Sequence, residues 1–342
     1  MTRLADIAQR NLNNFDLVRL IAALMVVFGH TFELFKNNGY YDPVKTLFHE
    51  SAGTLAVYIF FFLSGIFITG SFLNKKDHLS FVRARVLRIW PALIVCTLLT
   101  VFVIGPIFTT HLDKYFRLLR TWKFIASNLL LFRAVTHRLP GVFISNHYGR
   151  IINGSLWTLP WEIICYGLVF LFGVTRLVKN WAMGISFLLI LALLFVFNQT
   201  GDGMLEVRIV LFFIAGSLAY LNKEHIPVDY RVCLALIVLT ALSYPTTLFQ
   251  PVLYVTLAYT ALVLGASTIF KRIKLPGDYS YGIYIYGFLV QQGVNHLYPN
   301  LNPYQGLAIT IPVVVVLGAL SWHLIERRAI VYGRNLNPKN SL

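Results

Sequence analysis

Apolar residues in this chain gather into long runs, with neither the strict alternation of half-buried strands nor the heptads of a coiled coil. FDLVRLIAALMVVFGHTFEL, GTLAVYIFFFLSGIFITGSF and GLAITIPVVVVLGALSWHLI each extend to about twenty residues with few charges, the length at which a helix crosses the hydrocarbon core. The same pattern predicts about ten spans: 15–35, 53–73, 88–109, 157–176, 181–198, 207–221, 231–245, 250–270, 279–297 and 304–325. Of these, 207–221 is short and 231–245 stops at Pro245.

Between the third and fourth spans lies a long polar-and-apolar segment, 110–156. Its first part, KYFRLLRTWKFIASNLLLF, sets basic and apolar residues at helical spacing, which predicts a helix lying along the membrane interface. Its second part, HRLPGVFISNHYGRIINGS, is rich in turn formers and reads as loop. No solenoid-type repeat and no soluble domain able to fold alone interrupts the chain, so residues 1–342 are expected to form one membrane domain.

Composition agrees with lipid as the solvent. Hydrophobic residues make up 57% of the 342 and charged residues only 13%, with a mean hydropathy of +0.67; a soluble fold of this size could not hide so much apolar surface. The formal charge of +15 would suggest nucleic acid in a soluble protein. In a membrane protein it reads as basic loops facing anionic lipid, and no nucleic-acid partner is expected. Lys75, Lys76, Arg83, Arg85 and Arg88 cluster between spans two and three. Arg176 and Lys179, then Lys271, Arg272 and Lys274, then Arg327, Arg328, Arg334 and Lys339 fall on the same side. That side is expected to be cytoplasmic, with both termini inside and 110–156 outside; loop 198–206, with Asp202 and no Lys or Arg, lies opposite. MTRLADIAQRNLNN is polar and no small-residue cleavage site follows, so no cleavable signal peptide is expected. Cys96, Cys165 and Cys233 lie within apolar runs and read as small hydrophobes.

Few ionisable residues remain at membrane depth, where they are costly and usually functional. Arg19, His30 and Glu33 lie in span one, Glu162 in span four, His296 in span nine and His323 in span ten. Eleven residues at ~100° each return to within ~20° of the starting direction, so Arg19 and His30 share a helix face, ~16 Å apart along the axis. With the N-terminus inside, His30 and Glu162 fall at similar depth in the outer half, and Glu33 one turn further out. A polar track from a cation to a His–carboxylate pair fits this spacing. Arg19 snorkelling to phosphates, with His30 in a helix–helix hydrogen bond, fits it equally.

In FVRARVLRIWPAL, Arg85 and Arg88 stand at i and i+3 on one helix face where span three enters the membrane. Two guanidiniums so placed can clamp phosphate, although ordinary basic anchoring explains them as well. GSLWTLPWEIICY and DYSYGIYIYGF add aromatic-rich segments that bundle packing also explains. Asn153-Gly-Ser matches a glycosylation sequon, too short a match to assign.

Taken together, FDLVRLIAALMVVFGH with its Arg-x10-His spacing, FFFLSGIFITGSF, FVRARVLRIWP with Arg-x-x-Arg, GSLWTLPWEIICY, SYGIYIYGF and the closing HLIERRAI resemble acyltransferase family 3. These are polytopic membrane acyltransferases that modify sugars and other extracytoplasmic acceptors. The resemblance covers nearly the whole chain and is to the stand-alone type, without an appended soluble domain. It implies an all-α membrane bundle in the bacterial inner membrane that moves an acyl group, usually acetyl, from cytoplasmic acyl-CoA to an outer hydroxyl. Acetyl-CoA would be a co-substrate, with no permanently bound cofactor and no metal. By position, Arg85 and Arg88 would hold the phosphates of coenzyme A and Arg19 would help receive the donor. His30 would be the essential catalytic residue, and Trp157 and Glu162 match the aromatic–acid motif near the reaction site; Glu33 is a site-shaping candidate.

On this reading a neutral His30 acts as general base on the acceptor hydroxyl and Glu162 stabilises the imidazolium. An acyl-histidine intermediate is the covalent alternative. A glycan or lipid-linked saccharide is the expected acceptor. The rival from another class is a transporter or flippase for a lipid-linked saccharide, but the matched Gly/Pro breaks of inverted repeats are not found. A polyprenyl-phosphate glycosyltransferase would need outward acids, and Asp42, Glu50, Asp113, Asp202 and Glu206 show no metal-ligand spacing.

Overall fold

The computed structural model describes all residues except 1, 9–12, 36–38, 75–76, 132–135, 199–204, 270–272, 274 and 337–342, and the side chains of 180 and 192–198. Lys75, Lys76, Asp202, Lys271, Arg272, Lys274 and Lys339 therefore lie outside the described residues.

The described chain is helical, with two isolated bridges, Arg3–Pro227 and Thr109–Val142, in place of any named strand. Helices stand at each predicted position: α1 Phe15–Leu34, α2 Ala52–Asn74, α3 His78–Leu99, α4 Leu119–Leu130, α5 Leu159–Val174, α6 Asn180–Asn198, α7 Leu205–Leu221, α8 Tyr230–Ser243, α9 Phe249–Ala266, α10 Ser280–Leu297, α11 Pro303–Ser321 and α12 Arg327–Asn335. Of these, α4 fills the predicted interfacial position. Six stretches are long and apolar enough to cross a membrane by length and composition: α1, α2, His78–Phe108, Gly154–Val174, α9 and Pro303–Asn335. Three others fall short for visible reasons: α8 has 14 residues, α7 has 17, with Glu206 and Arg208 at its start, and α10 is studded with amides. Rows of exposed apolar side chains, such as Ile94, Leu98, Phe102 and Ile107, or Leu234, Val238 and Leu242, are what lipid-facing helices present.

Local chemistry sets several helix ends. Asp77 caps α3 by accepting from the amides of Leu79 and Ser80 at 3.1 and 2.9 Å, and Asp229 caps α8. Asn302 and Gln305 form a reciprocal capping box, with Pro303 at the first helical position of α11. α3 runs on through a π turn, Thr100–Ile104, into Gly105–Phe108; a second π turn, Trp322–Glu326, joins α11 to α12.

The chain divides into two compact units. The first comprises Met1–Ala22, Val44–Lys76 and Ile164–Pro276. Its centre is the α2–α7 crossing, where a Cβ added to Gly65 would overlap the Phe213 carbonyl and one added to Gly216 would overlap the Phe62 carbonyl. Two backbones in direct contact are the small-residue packing expected of membrane helices. Arg208 of α7 pairs with Glu50 at 3.0 Å, and Tyr254 of α9 donates to the same carboxylate at 2.8 Å.

The second unit comprises Ala23–Pro43, Asp77–Ile163 and Gly277–Leu342. Here α10 packs on α11 through Gly282 and Gly318; a Cβ on Gly282 would lie 2.8 Å from the Gly318 Cα. Segment 110–156 contributes side chains to the core of this unit. Tyr115, Phe124, Val142, Phe143 and Ile152 are buried with Val101 of the π turn and Leu289 of α10. On α4, Thr121, Phe124 and Asn128 face inward while Trp122, Lys123 and Leu130 are exposed, so basic and apolar side chains share the outer face, as on an interfacial helix. The three cysteines are buried and form no disulfide.

Candidate functional site

The outer half of α1, as the sequence predicts it, is clamped onto α10 by amides. Gln291 Nε2 donates to the Val27 carbonyl at 2.8 Å and to Thr31 Oγ1 at 2.7 Å; Asn295 Nδ2 donates to the Leu34 carbonyl at 2.6 Å. Gly287 allows the close approach, since a Cβ there would meet Val27 Cγ2 at 2.8 Å. His30 lies on this clamped stretch, edge-on to Phe288 with ring centroids 5.1 Å apart. Its Nδ1 is buried and has no hydrogen-bond partner. A buried polar atom left unsatisfied costs about 1–3 kcal/mol, so this nitrogen is a candidate for contact with a substrate.

The loop before α5 covers the same part of α10. Gln292 Nε2 holds the backbone of Tyr148 and Ile151, and Asn146 Nδ2 donates back to Gln292 Oε1 at 2.7 Å. The Tyr148 ring stands 6.3 Å from Phe288. Burial, and then the charge of Glu33, hold the Tyr148 phenol above its ordinary pKa, which places Glu33 beside this loop.

Asn153-Gly-Ser opens the turn Gly154–Thr158 that leads into α5. Asn153 Nδ2 donates to the Ile285 carbonyl at 2.7 Å, so the amide of the sequon is used in the fold. Gly154 lies against Phe288, whose Cε2 would be 2.6 Å from an added Cβ. Tyr284 OH donates to the Ser155 carbonyl at 2.7 Å and lies 2.6 Å from Thr158 Oγ1. Trp157 is half-buried in this turn. Glu162, in the first turn of α5 and also half-buried, lies within electrostatic reach of Tyr281 and Tyr284. It makes no hydrogen bond to His30 Nδ1, so the expected His–carboxylate contact is not formed at that nitrogen.

Three further buried atoms around Phe288 lack partners: Gln291 Oε1, Asn153 Oδ1 and Ser155 Oγ. With His30 Nδ1 they form a set of unspent acceptors and donors along α10, in a part of the protein where nearly every other amide is used. The sequence reading did not single out Gln291, Gln292 or Asn295, and it weighed Asn153 and Ser155 only as parts of a sequon too short to assign. The signal of the three α10 residues was present, as amides recurring within one apolar segment.

The arginine pair of α3 is split. Arg88 donates to Asp278 at 2.6 Å and to Glu326 at 3.2 Å, and both carboxylates are about 1% exposed. Ser280 and Ser321 donate to the same two acids at 2.5 and 2.8 Å, and the guanidinium lies over the Tyr281 and Trp322 rings. With both acids ionised this triad carries a net charge of minus one, which disfavours a phosphate. The paired Arg85–Arg88 clamp is thus not assembled: Arg88 joins α3, α10 and the π turn before α12. Arg85, half-buried, lies 5.8 Å over Phe81. Arg19 is half-buried in the first turns of α1, a helix unbroken as far as His30 and beyond. His296 and His323 have structural partners, Asn146 Oδ1 and Tyr279 OH, each at 3.0 Å.

The chain that carries this site has recognisable relatives. A family model described as "Acyltransferase domain" matches residues 12–323. A protein named "O-acetyl transferase" from Shigella phage Sf6 is 32% identical over 344 residues, covering 96% of this chain and 98% of that protein. "Nodulation protein 10" of Rhizobium leguminosarum bv. viciae is 28% identical over 354 residues, covering 93% of each. No solved structure matches the chain significantly. A family match over nearly the whole length, with membrane-spanning helices beneath it, is decisive: the chain belongs to acyltransferase family 3 and is a membrane acyltransferase.

Proposed function

We propose that the protein transfers an acetyl group from cytoplasmic acetyl-CoA to a hydroxyl of an extracytoplasmic glycan or lipid-linked saccharide, with His30 as the general base. The observation that carries this reading is the His30 imidazole: buried at Nδ1, unpaired there, and bordered by further unpaired polar atoms. A relative named for O-acetyl transfer supports acetyl as the group moved and oxygen as its destination. The ten helices cross the inner membrane of a bacterium with both termini inside, which puts the Arg85 end of α3 at the cytoplasm and His30 in the outer half. The excess of arginine and lysine in the loops on one side supports this orientation.

In the proposed reaction His30 accepts the proton of the acceptor hydroxyl while its oxygen attacks the thioester carbonyl. The carbon–sulfur bond then breaks, the ester forms, and the imidazolium returns the proton to the departing thiolate. Glu162 supplies negative charge that stabilises the imidazolium, acting through space beside Tyr281 and Tyr284. Arg85 holds phosphate of coenzyme A and Arg19 helps receive the donor; Arg88 fixes the helix from which Arg85 projects. Trp157 and Glu33 border the acceptor's space. Purified His30→Ala and His30→Gln, folded as judged by thermal melting, should release CoA from acetyl-CoA at less than about a hundredth of the wild-type rate. Wild-type turnover in either variant rejects the mechanism.

A further inference from the structure

Segment 110–156 contains a second feature that the reaction centre does not use. A cleft of about 280 Å³ opens between the Thr110–His111 turn, the start of α4 and the loop 138–150. Arg120, Arg138 and Arg150 line it together with His111, and among the described residues none that lines it is acidic. Among the described residues none of these three guanidiniums has an ion pair or a hydrogen bond.

The cleft is built rather than incidental. The Thr109–Val142 bridge closes its base, the Thr110 amide donates to the Gly141 carbonyl at 3.1 Å, and Thr109 Oγ1 donates to the Pro140 carbonyl at 2.9 Å. Gly141 has φ +72°, and a Cβ there would meet Thr109 Oγ1 at 2.6 Å. Arg150 keeps φ +75°, a conformation side-chain-bearing residues rarely adopt. Leu139 and Val142 anchor this wall in the buried core. The same loop then sets Asn146 on Gln292 and Tyr148 beside Phe288, the ring against His30, so one loop carries both the arginines and contacts to the helix next to His30.

We propose that this cleft holds the phosphate-bearing part of the acceptor, which would be a phosphorylated saccharide; the proposal rests on the transferase reading given above. Guanidiniums bind phosphate oxygens through paired, charge-assisted hydrogen bonds, and three of them with no competing acid suit a phosphate or diphosphate more than a neutral sugar. A concave site under a loop also differs from the convex basic and apolar face of α4, which suits lipid headgroups.

The test uses the full chain in phosphatidylcholine nanodiscs, with CoA saturating the donor site, and inorganic pyrophosphate as the titrant in calorimetry. Wild type should bind it saturably at one site, and Arg120→Gln/Arg138→Gln/Arg150→Asn should bind at least about a hundredfold more weakly. Asparagine is chosen at 150 because it tolerates positive φ. Arg138→Gln alone, expected to weaken binding about tenfold, covers a triple variant that fails to fold. No binding by wild type, or equal binding by a folded variant, overturns the proposal. In kinetics the triple variant should raise KM about tenfold or more for a sugar phosphate, leaving kcat, the acetyl-CoA KM and the unphosphorylated sugar unchanged. Displacement of pyrophosphate by phosphatidylglycerol would overturn the acceptor assignment in favour of a lipid headgroup. Wild type that binds pyrophosphate yet transfers no acetyl group rejects the transferase reading and leaves the cleft; transfer without pyrophosphate binding rejects the cleft alone.

Discussion

Replacing Arg88 with alanine should destabilise the protein well before it affects donor affinity. Its guanidinium is 15% exposed and meets two carboxylates, each about 1% exposed, at 2.6 and 3.2 Å. At the effective dielectric of such sites, one charge pair at about 4 Å is worth roughly 4 kcal/mol before desolvation is subtracted. Removing the cation strands both acids, and breaking a buried pair in this way costs about 3–5 kcal/mol. The hydroxyls of Ser280 and Ser321 still reach the acids, which argues for the lower part of that range. Neutralising the whole set, as Arg88→Met/Asp278→Asn/Glu326→Gln, should restore most of the loss, because no charge is then buried alone. Thermal and denaturant unfolding in one detergent, alongside the KM for acetyl-CoA, separates the two roles. A stable Arg88→Ala protein with a raised acetyl-CoA KM would refute the reasoning and reinstate Arg88 as a phosphate ligand.

Three further expectations follow from the packing and capping. Gly65→Ala pushes a methyl into the Phe213 carbonyl at the α2–α7 crossing and should cost about 1–3 kcal/mol or more, read as a lowered melting temperature; an unchanged melt would contradict the close approach. Gly154→Ala should displace Phe288 from its place against His30 and lower kcat roughly tenfold to a hundredfold with little change in acetyl-CoA KM; an unaltered kcat would detach this turn from the reaction. Hydrogen bonds from Ser80 and from the Leu79 and Ser80 amides hold the Asp77 carboxyl below its ordinary pKa, so its cap is intact above that range and weakens as pH falls through the folded value. Hydrogen exchange at Leu79 and Ser80 should therefore quicken, relative to Asp77→Asn, only below about pH 4; a pH-independent difference would mean that the charge contributes nothing to the cap.

Helix positions were legible because apolar runs of bilayer length leave the backbone little choice but helix. Their ends were less so. α3 begins at His78, ten residues before the predicted span, because Arg83, Arg85 and Arg88 interrupt the apolar pattern while Asp77 supplies a cap that hydropathy does not register. His30 and Arg19 stood out as rare ionisable residues on one helix face. The partners of Arg88 did not, since Asp278 and Glu326 are 190 and 238 residues away in the chain and only folding brings them together. Segment 110–156 reads as interfacial helix and loop, and the structure has a helix, α4, followed by turns there. What the pattern hid was the inward face: Tyr115, Phe124, Val142 and Phe143 are spaced by turns, not by helical period, so their shared core had no periodic signature. The amides of α10 were passed over because attention to charges at membrane depth does not register uncharged side chains, yet they attach the loop and α1 to that helix.

The central claim is transfer across the membrane through His30. The most direct measurement reconstitutes wild type and His30→Ala in sealed vesicles, supplies acetyl-labelled CoA only on the face bearing Arg85, and follows label in a saccharide present only on the opposite face. The account predicts labelled saccharide and stoichiometric free CoA for wild type, on opposite sides of the bilayer, and neither for His30→Ala. Equal labelling by the two proteins, or labelling only when donor and acceptor share a side, would contradict it.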